Sequence, residues 1–491
     1  MIRTFRLPGL LIVLSLLAGG IVLDNQIDDA EPDAVELVSP GPVIAPASAR
    51  STTWFCAAGT SGDGGLADAL VTLANSSSND KVAVVSVFRG GEEASVDNVV
   101  DELVVDLPGL TTVSLHPADF AEGSPVVSLA VEVDGGGVVV DKVVSGATGV
   151  DRASCSTNGS NVWVVSSGQT TPGARLQMVV FNPFPDDAVV DVEFVTRNGV
   201  RTPEDLAALH IPSRSSRLIE IGDVVAAADS ISGFVRARSG RVVVEAIQSF
   251  DGSGAPLGLS VIAGAPASAE SWFFPGVTPG LGPARIVVVN TSDALVRADV
   301  EYYPAGAERF IEPFGLTLQP GQNEVVTLND DRLAGIDSFS LIVRSLDGPR
   351  IVAGLEQQPA SDEPDAVEQL TETEVAAPTT GFAASPGHPQ LTRRSLMVAE
   401  VVEGDMGSIL QVFNPASDSF AVIDATVFAE GASREVTLEV GPLRTLQVPL
   451  SELAVGTFIL QLDASTPVVA SRQTTGLSSR SWAPAVAAAT G

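Results

Sequence analysis

Apolar and polar residues alternate along much of this 491-residue chain. In one such run Val190, Val192 and Phe194 face one way, and Asp191 and Glu193 face the other. A period of two is typical of a β-strand with one buried face and one solvated face. The runs end at Gly, Pro, Ser and Asp, which are common turn residues. The pattern therefore predicts an all-β fold built from antiparallel sheets.

One succession of predicted strands occurs four times. Each copy has an opening strand, then an apolar strand that ends in Asn, and later a hairpin with a Gly-, Asp-, Ser- or Pro-containing turn. The four Asn residues recur at intervals of 107, 108 and 124 residues, and a linker insert accounts for the longer last interval. They are Asn75, Asn182, Asn290 and Asn414. Each copy has about six or seven strands, the size of an immunoglobulin-like sandwich. We expect four tandem immunoglobulin-like β-sandwich repeats.

These patterns divide the chain into eight segments. They are a cytoplasmic tip (1–6), a membrane segment (7–23), an acidic and then Pro/Ala-rich spacer (24–50), β repeats at 51–155, 156–266 and 267–358, a linker (359–392), and a fourth β repeat with an extra C-terminal strand (393–491). The spacer and the linker have compositions that do not bury a core.

The N-terminal segment predicts an exported protein. Arg3 and Arg6 precede the uncharged apolar run 7–23, and acidic residues follow from Asp24 onward. Basic residues before the run and acidic residues after it orient the bulk of the chain outward. The run is at the short limit for a membrane span of roughly 20 residues. We expect a single-pass signal anchor in the cell membrane, with secretion after signal cleavage as the alternative.

The opening strands of the first three copies carry Trp54, Trp163 and Trp272. We expect buried anchors between sheets, because these residues recur in frame with core strands. A stacking platform for sugar is the alternative. The repeated Asn is expected to hold a turn through its side chain, with a role in ligand binding as the alternative.

A further Trp follows the fourth copy. Trp482 lies in a sequence similar to that around Trp272. Either a truncated fifth repeat begins there, or this strand packs on the preceding copy. The second case leaves room for a propeller-like closed β array, which is the alternative to an open tandem array.

The two cysteines bracket the first copy. Cys56 lies in its opening strand and Cys155 at its end, and the topology places both outside the membrane. We expect a disulfide bond that contributes about 4–5 kcal/mol through loop closure. Two buried free thiols are the alternative.

Charge and motifs narrow the function. A net charge of −33 argues against nucleic acid as a partner. The three histidines accompany no nucleophile motif, and no P-loop or metal-binding motif is present. We therefore predict no catalytic residues, no cofactor and no metal, although calcium binding by acidic loops stays open. Carboxylate-pair catalysis also stays open, because 60 Asp and Glu residues offer many candidates.

Several short motifs resemble those of a known group of proteins. They are Val180–Pro183, Trp272–Gly276, Gln319–Gln322, Arg350–Glu356 and Pro467–Arg472. The chain resembles exported repeat proteins of high-GC, actinobacterial-type bacteria that carry a domain of unknown function. It departs from their pattern at Leu396, where Trp is expected, and at Cys56. The resemblance implies an exported β-repeat protein and transfers no functional residue.

Together these observations predict a non-enzymatic cell-envelope protein. We expect its β-repeat array to be presented to an unknown protein or to cell-wall glycan, with the N-terminal segment in the membrane. The alternative is a glycan-binding accessory in cell-wall or surface-polysaccharide assembly, which exposed aromatics would support and buried Trp residues would weaken. A third hypothesis is a carboxylate-pair hydrolase of envelope polymer, which requires two carboxylates converging in a deep groove.

Overall fold

A computed structural model describes most of the chain after residue 38. The described residues are 39–46, 48–59, 67–92, 99–121, 123–306, 309–329, 331–359, 380–402, 407–475 and 480–489. Nearly all of their regular structure is strand, which confirms the predicted all-β class. The predicted tip and membrane segment lie outside the described residues. Within the described part, no helix is both long and apolar enough to cross a membrane.

Each repeat contains at least seven strands, which alternate between two sheets. The first repeat has β2 (Ser51–Cys56), β3 (Asp68–Asn75), β4 (Lys81–Gly91), β5 (Val99–Leu107), β6 (Thr111–Leu115), β7 (Val126–Asp134), β8 (Val138–Gly146) and β9 (Gly149–Ser154). The second has β10 (Val162–Val165), β11 (Ala174–Asn182), β12 (Ala188–Thr196), β13 (Gly199–Arg201), β14 (Leu209–Ile211), β15 (Ser215–Glu220), β16 (Ile231–Ser239), β17 (Val243–Phe250) and β18 (Gly258–Ala263).

The last two repeats follow the same order. The third has β19 (Ser271–Val277), β20 (Ala284–Asn290), β21 (Val296–Pro304), β22 (Phe314–Leu318), β23 (Asn323–Thr327), β24 (Phe339–Ser345), β25 (Ile351–Gln357) and β26 (Ala383–Pro386). The fourth has β27 (Thr392–Val401), β28 (Ser408–Asn414), β29 (Ala421–Ala429), β30 (Ala432–Val440), β31 (Arg444–Pro449), the long β32 (Gly456–Thr475) and β33 (Arg480–Pro484). Two short strands flank the repeats, β1 (Val43–Ile44) and β34 (Val486–Ala488).

In the described residues, helical structure is limited to single turns. The α-helical turn is α1 (Ile221–Val224), and the 3₁₀ turns are Pro117–Asp119, Glu204–Leu206, Pro279–Leu281, Asp331–Leu333 and Leu450–Glu452.

The two sheets of a repeat have a fixed strand order. In the first repeat they are β2-β7-β4-β5 and β6-β3-β8-β9, and in the third β19-β24-β21-β22 and β23-β20-β25-β26. The second repeat has β10-β16-β12-β13, with β14 beside β12, and β15-β11-β17-β18. In the fourth, β32 pairs with β27 and β29 along its first half and with β28 and β33 along its second half.

The closing strand of each repeat pairs with the second strand of the predicted hairpin. Of these closing strands, β33 is the predicted extra strand around Trp482, whereas β9, β18 and β26 are absent from the strands that the sequence predicted. They lie against one another in a cycle: β9 beside β18, β18 beside β26, β26 beside β33, and β33 beside β9. The fourth repeat therefore contacts the first, and the four repeats form a closed ring.

Three equivalent hydrogen bonds join neighbouring closing strands. A side-chain oxygen of one closing strand accepts a backbone N–H from the next. The bonds run from Val261 to Asp151 (2.7 Å), from Ala384 to Ser260 (2.9 Å) and from Arg152 to Ser481 (3.3 Å). The third of these bonds links the fourth repeat back to the first, as a cyclic arrangement requires.

A second set of contacts recurs at a greater distance from the closing strands. The hydrogen-bonded pairs are Ser128 with Ser216 (2.6 Å), Ser232 with Asn323 (3.1 Å) and Ser340 with Thr445 (2.6 Å). Ile459 has the equivalent position in the fourth repeat and belongs to the apolar cluster of the first repeat. At this one position, the interface between the fourth and first repeats has an apolar side chain, whereas the other three interfaces have a polar one.

The two ends of the described chain also meet. Strand β1 pairs in parallel with β34, and β34 pairs with β27. Ile44 is buried although it lies in the predicted spacer 24–50, whose first residues, 24–38, lie outside the described part. Likewise Ala383–Pro386, within the predicted linker 359–392, is strand β26, and 360–379 lie outside the described residues. The Ala, Ser and Pro residues of β26 carry little β signal, and β1 is only two residues long, too short for a periodic pattern.

Trp482 belongs to the preceding repeat, the second of the two sequence alternatives. Its strand β33 pairs with β32, and its ring packs against Phe274 and His388 of the third repeat. In the fourth repeat Leu396 pairs with Val486, as Phe273 pairs with His388. The position equivalent to Trp272 is therefore Ser395. The sequence pattern had indicated Leu396, which is one residue later.

Candidate functional site

The repeated Trp residues are inaccessible. Trp54, Trp163 and Trp272 have at most 1 % of their surface exposed. The indole N–H of Trp163 donates to the carbonyl of Val242 at 2.7 Å, and that of Trp272 donates to the equivalent carbonyl of Ile351 at 2.9 Å. These rings fill the space between sheets and present no face at the protein surface on which a sugar could stack.

The repeated Asn residues join two turns of each repeat. Each amide group donates to three backbone carbonyls, and its oxygen accepts one backbone N–H, in all four repeats. For Asn182 the acceptors are the carbonyls of Asp186, Ile211 and Pro212, at 2.9, 3.2 and 3.1 Å. Asn75, Asn182, Asn290 and Asn414 are fully buried. Because every hydrogen-bonding atom of the amide has a backbone partner, the side chain has a structural role.

Cys56 and Cys155 form a disulfide bond. Cys56 ends the first strand of its repeat, and Cys155 directly follows the closing strand β9. The bond therefore ties the start of the first repeat to its end.

Buried ion pairs lie at two of the four interfaces between repeats. Lys142 contacts Glu245 across the first interface, and Glu245 also accepts the backbone N–H groups of Ala57 (2.9 Å) and Ala58 (2.6 Å). Between the fourth and first repeats, the guanidinium of Arg472 lies 3.5 Å from Asp141.

These two pairs occupy equivalent positions. The strand register makes Lys142 equivalent to Arg472, and Glu245 equivalent to Asp141. At the other two interfaces the same positions hold Ala246 opposite Gly354 and Leu355 opposite Ser471. The charged interfaces are thus the two that flank the first repeat.

The buried carboxylates in the described part have structural partners. Asp141 and Glu245 are paired with cations as above, and Glu356 is paired with Arg285. Asp151 accepts hydrogen bonds from the hydroxyl of Ser260 and from backbone N–H groups, and burial raises its pKa to about 6. Within the described residues, no group of three or more His, Cys, Asp or Glu side chains could hold a metal ion.

An aromatic cleft lies between the third and fourth repeats. It has a volume of about 890 Å³ and is lined by Phe310, Phe420 and Tyr303 among others. Phe310 is 86 % exposed and Phe420 58 %. Phe314, 38 % exposed, lies beside the cleft. These three are the strongly exposed aromatic side chains of the described residues, so exposed aromatic surface is concentrated at one place.

Two local features of the chain create this cleft. Phe310 lies in the long connection between β21 and β22. Phe420 follows a turn that is one residue longer than its equivalents, because Asn414 bonds to the carbonyl five residues ahead and Asn290 to the one four residues ahead. Sequence analysis missed both residues. The signal that could have found them is an apolar aromatic residue within a polar loop.

The charged groups of the cleft are mostly cationic. Arg309 and Arg444 line it, and Arg332 places its guanidinium 5.9 Å from the ring of Tyr302 and 5.6 Å from that of Phe314. Glu301 accepts hydrogen bonds from the Tyr303 hydroxyl (2.7 Å) and from Arg344 (3.0 Å). The pKa of Tyr303 is raised by burial and by this carboxylate, so its hydroxyl stays protonated.

Comparison with known proteins identifies a family but no activity. The sequence model of a family of unknown function, DUF5719, matches residues 45–233 and again residues 137–330. No curated protein matches the chain. A solved structure, the crystal structure of Thermotoga maritima 1070, is similar at 12 % identity and a TM-score of 0.18, over 25 % of this chain and 96 % of that one.

Proposed function

We propose that this chain, which belongs to the DUF5719 family of unknown function, is a non-enzymatic cell-envelope protein that binds a partner protein at its aromatic cleft. The observation that carries the proposal is the concentration of exposed Phe side chains at one place. Exposed Phe and Arg together are the composition of protein-interface hot spots, where aromatic anchors enter pockets of a partner.

Charge indicates which partner segment fits. The chain as a whole carries a net charge of −33, whereas the cleft is lined by Arg309 and Arg444 with Glu301 as its carboxylate among the described lining residues. An acidic segment with apolar side chains would be attracted to this cleft and repelled elsewhere. We therefore propose such a segment of another envelope protein as the occupant.

The finer architecture and the location belong to the same proposal. The cycle of closing strands favours a propeller-like closed array over an open row of immunoglobulin-like sandwiches. We propose that the N-terminal segment 7–23 anchors this array in the cell membrane with the bulk outside. Secretion after signal cleavage remains the alternative.

Glycan binding is the second candidate function. Sugar rings also stack on aromatic faces, so the exposed Phe side chains support a glycan-binding accessory, whereas the buried Trp54, Trp163 and Trp272 give it no support. A hydrolase has less support than either, because two carboxylates are needed and Glu301 is the one carboxylate among the described cleft residues.

Site-specific crosslinking in cells tests the proposal. A photoreactive phenylalanine analogue at Phe310 of the full-length chain should give one discrete protein adduct, and the added change Phe420→Ser should abolish it. The matched control places the analogue at Val104, which is 74 % exposed in the first repeat, and should give no such adduct. Retention on cell-wall glycan that Phe420→Ser abolishes would instead favour the glycan function. If the experiment gives no adduct and no retention, the cleft has no binding role and the proposal is wrong.

A further inference from the structure

A second concave site lies at the end of the ring where the closing strands finish. It is a cavity of about 80 Å³ lined by residues of all four repeats. Three of the four Trp residues, Trp163, Trp272 and Trp482, contribute to the lining, together with His388. A single water needs only roughly 10–15 Å³ measured in this way. The cavity therefore has room for a small organic molecule.

The lining combines apolar surface with one unused hydrogen-bond acceptor. His388 is 6 % exposed, and its Nε2 has no partner. The ring is bonded to the backbone of Ala470, so Nδ1 carries the proton and Nε2 presents a lone pair. Burial lowers the pKa of His388 to about 3, which keeps the imidazole neutral at ordinary pH. A buried polar atom without a partner is costly and indicates a missing donor.

We propose that this cavity at the end of the ring binds a small, largely apolar molecule with one hydroxyl or N–H group. That group donates a hydrogen bond to Nε2 of His388. The indole rings supply the apolar contacts, and His388 selects for the donor. Sites of this kind, mostly apolar with a few placed polar groups, are the usual form of small-molecule pockets. The proposal is independent of the aromatic cleft.

The N-terminal end of the described chain covers the site. Pro40, Gly41 and Pro42 line the cavity, and the strand that follows them is held by hydrogen bonds and by the buried side chain of Ile44. Val43 donates its backbone N–H to the hydroxyl of Thr157 at 3.1 Å, and β1 pairs with β34.

Tryptophan N–H signals of the full-length chain offer a direct test with an internal control. With ¹⁵N-labelled Trp, 4-fluorophenol should shift the signals of the three cavity residues in a saturable manner. Trp54 does not line the cavity and should not move. Fluorobenzene, which lacks the hydroxyl, should bind about tenfold more weakly, the difference made by one hydrogen bond. Fluorine NMR of the two probes measures both affinities.

Two variants separate the contribution of the cavity's shape to binding from that of the hydrogen bond. His388→Phe removes the acceptor and should make the two probes bind equally, whereas His210→Phe, at an exposed histidine, should leave the tenfold preference intact. Ala263→Leu narrows the cavity and should weaken both probes. If Ala263→Leu does not fold, the Trp54 signal still separates cavity binding from non-specific binding. Equal shifts of all four signals, or no shift, would overturn the proposal and leave a water-filled cavity.

Discussion

The buried pair of Lys142 and Glu245 gives a sharp test of how the repeats are held together. Both side chains are almost completely buried, and Lys142 also donates to the carbonyl of Ala58 at 3.0 Å. Lys142→Leu removes the cation and leaves the Glu245 carboxylate in the interface with two backbone N–H groups as its remaining partners. Removing one partner of a buried ion pair costs about 3–5 kcal/mol.

The chain supplies its own template for a compensating change. Leu355 and Ser471 occupy the equivalent positions at the interface between the third and fourth repeats. The double variant Lys142→Leu/Glu245→Ser should therefore lose less than the sum of the two single variants, by about 2 kcal/mol or more. It should not regain full stability, because two backbone N–H groups lose their acceptor.

Urea unfolding followed by Trp fluorescence at neutral pH measures these free energies. Lys81→Met, at the only other lysine in the sequence, is the matched control and should change stability by less than about 0.5 kcal/mol. Lys142→Leu within 1 kcal/mol of the parent chain, or full additivity of the two single changes, would refute the reasoning.

Three further predictions concern Asn182, Asp151 and the disulfide bond. Asn182→Ala leaves three backbone carbonyls without their donor, so the unfolding free energy should fall by about 3 kcal/mol in urea titrations; a loss below 1 kcal/mol would contradict the structural role. The pKa of Asp151 is raised to about 6, so its ionisation should lower stability by about 2 kcal/mol between pH 4 and pH 7. Asp151→Ser introduces the residue found at the equivalent positions Ser260 and Ser481, and it should lack this pH-dependent loss of stability. Identical stability–pH profiles for the parent chain and the variant would disprove the prediction. Reducing the Cys56–Cys155 bond should lower the unfolding free energy by about 4 kcal/mol. Urea titrations with and without reductant measure this difference, and equal unfolding midpoints would rule it out.

Much of each repeat was predictable from local pattern. Alternation such as that of Val190, Asp191 and Val192 marks strands directly, because successive side chains of a strand point to opposite faces. The recurrence of Asn182 and its equivalents marked the turns, since Asn is suited to that role. The sequence also placed both cysteines at the two ends of one repeat, where the structure joins them.

Closing strands such as β9 and β26 were not predictable in the same way. Strand β9 contains the buried Asp151, and β26 consists of Ala, Ser and Pro residues. Neither shows the apolar alternation of a half-buried strand, because these strands are buried among their equivalents from neighbouring repeats. Their partners are far away in sequence, so no local signal identifies them. The cleft was missed because Phe310 and Phe420 come from different repeats, so that the aromatic residue in each polar loop did not show where the two would meet.

A ring of similar repeats must also avoid closing in the wrong order. Neighbouring repeats use equivalent surfaces, so an apolar interface alone would let one repeat pack against several others. The buried charges restrict this choice. Lys142 placed opposite Gly354 or Ser471 would be a buried cation without a carboxylate, and Asp141 without Arg472 would be a buried anion, each at a cost of several kcal/mol. The ion pairs therefore specify which two neighbours the first repeat takes, and so fix the third and fourth repeats beside each other with the aromatic cleft between them.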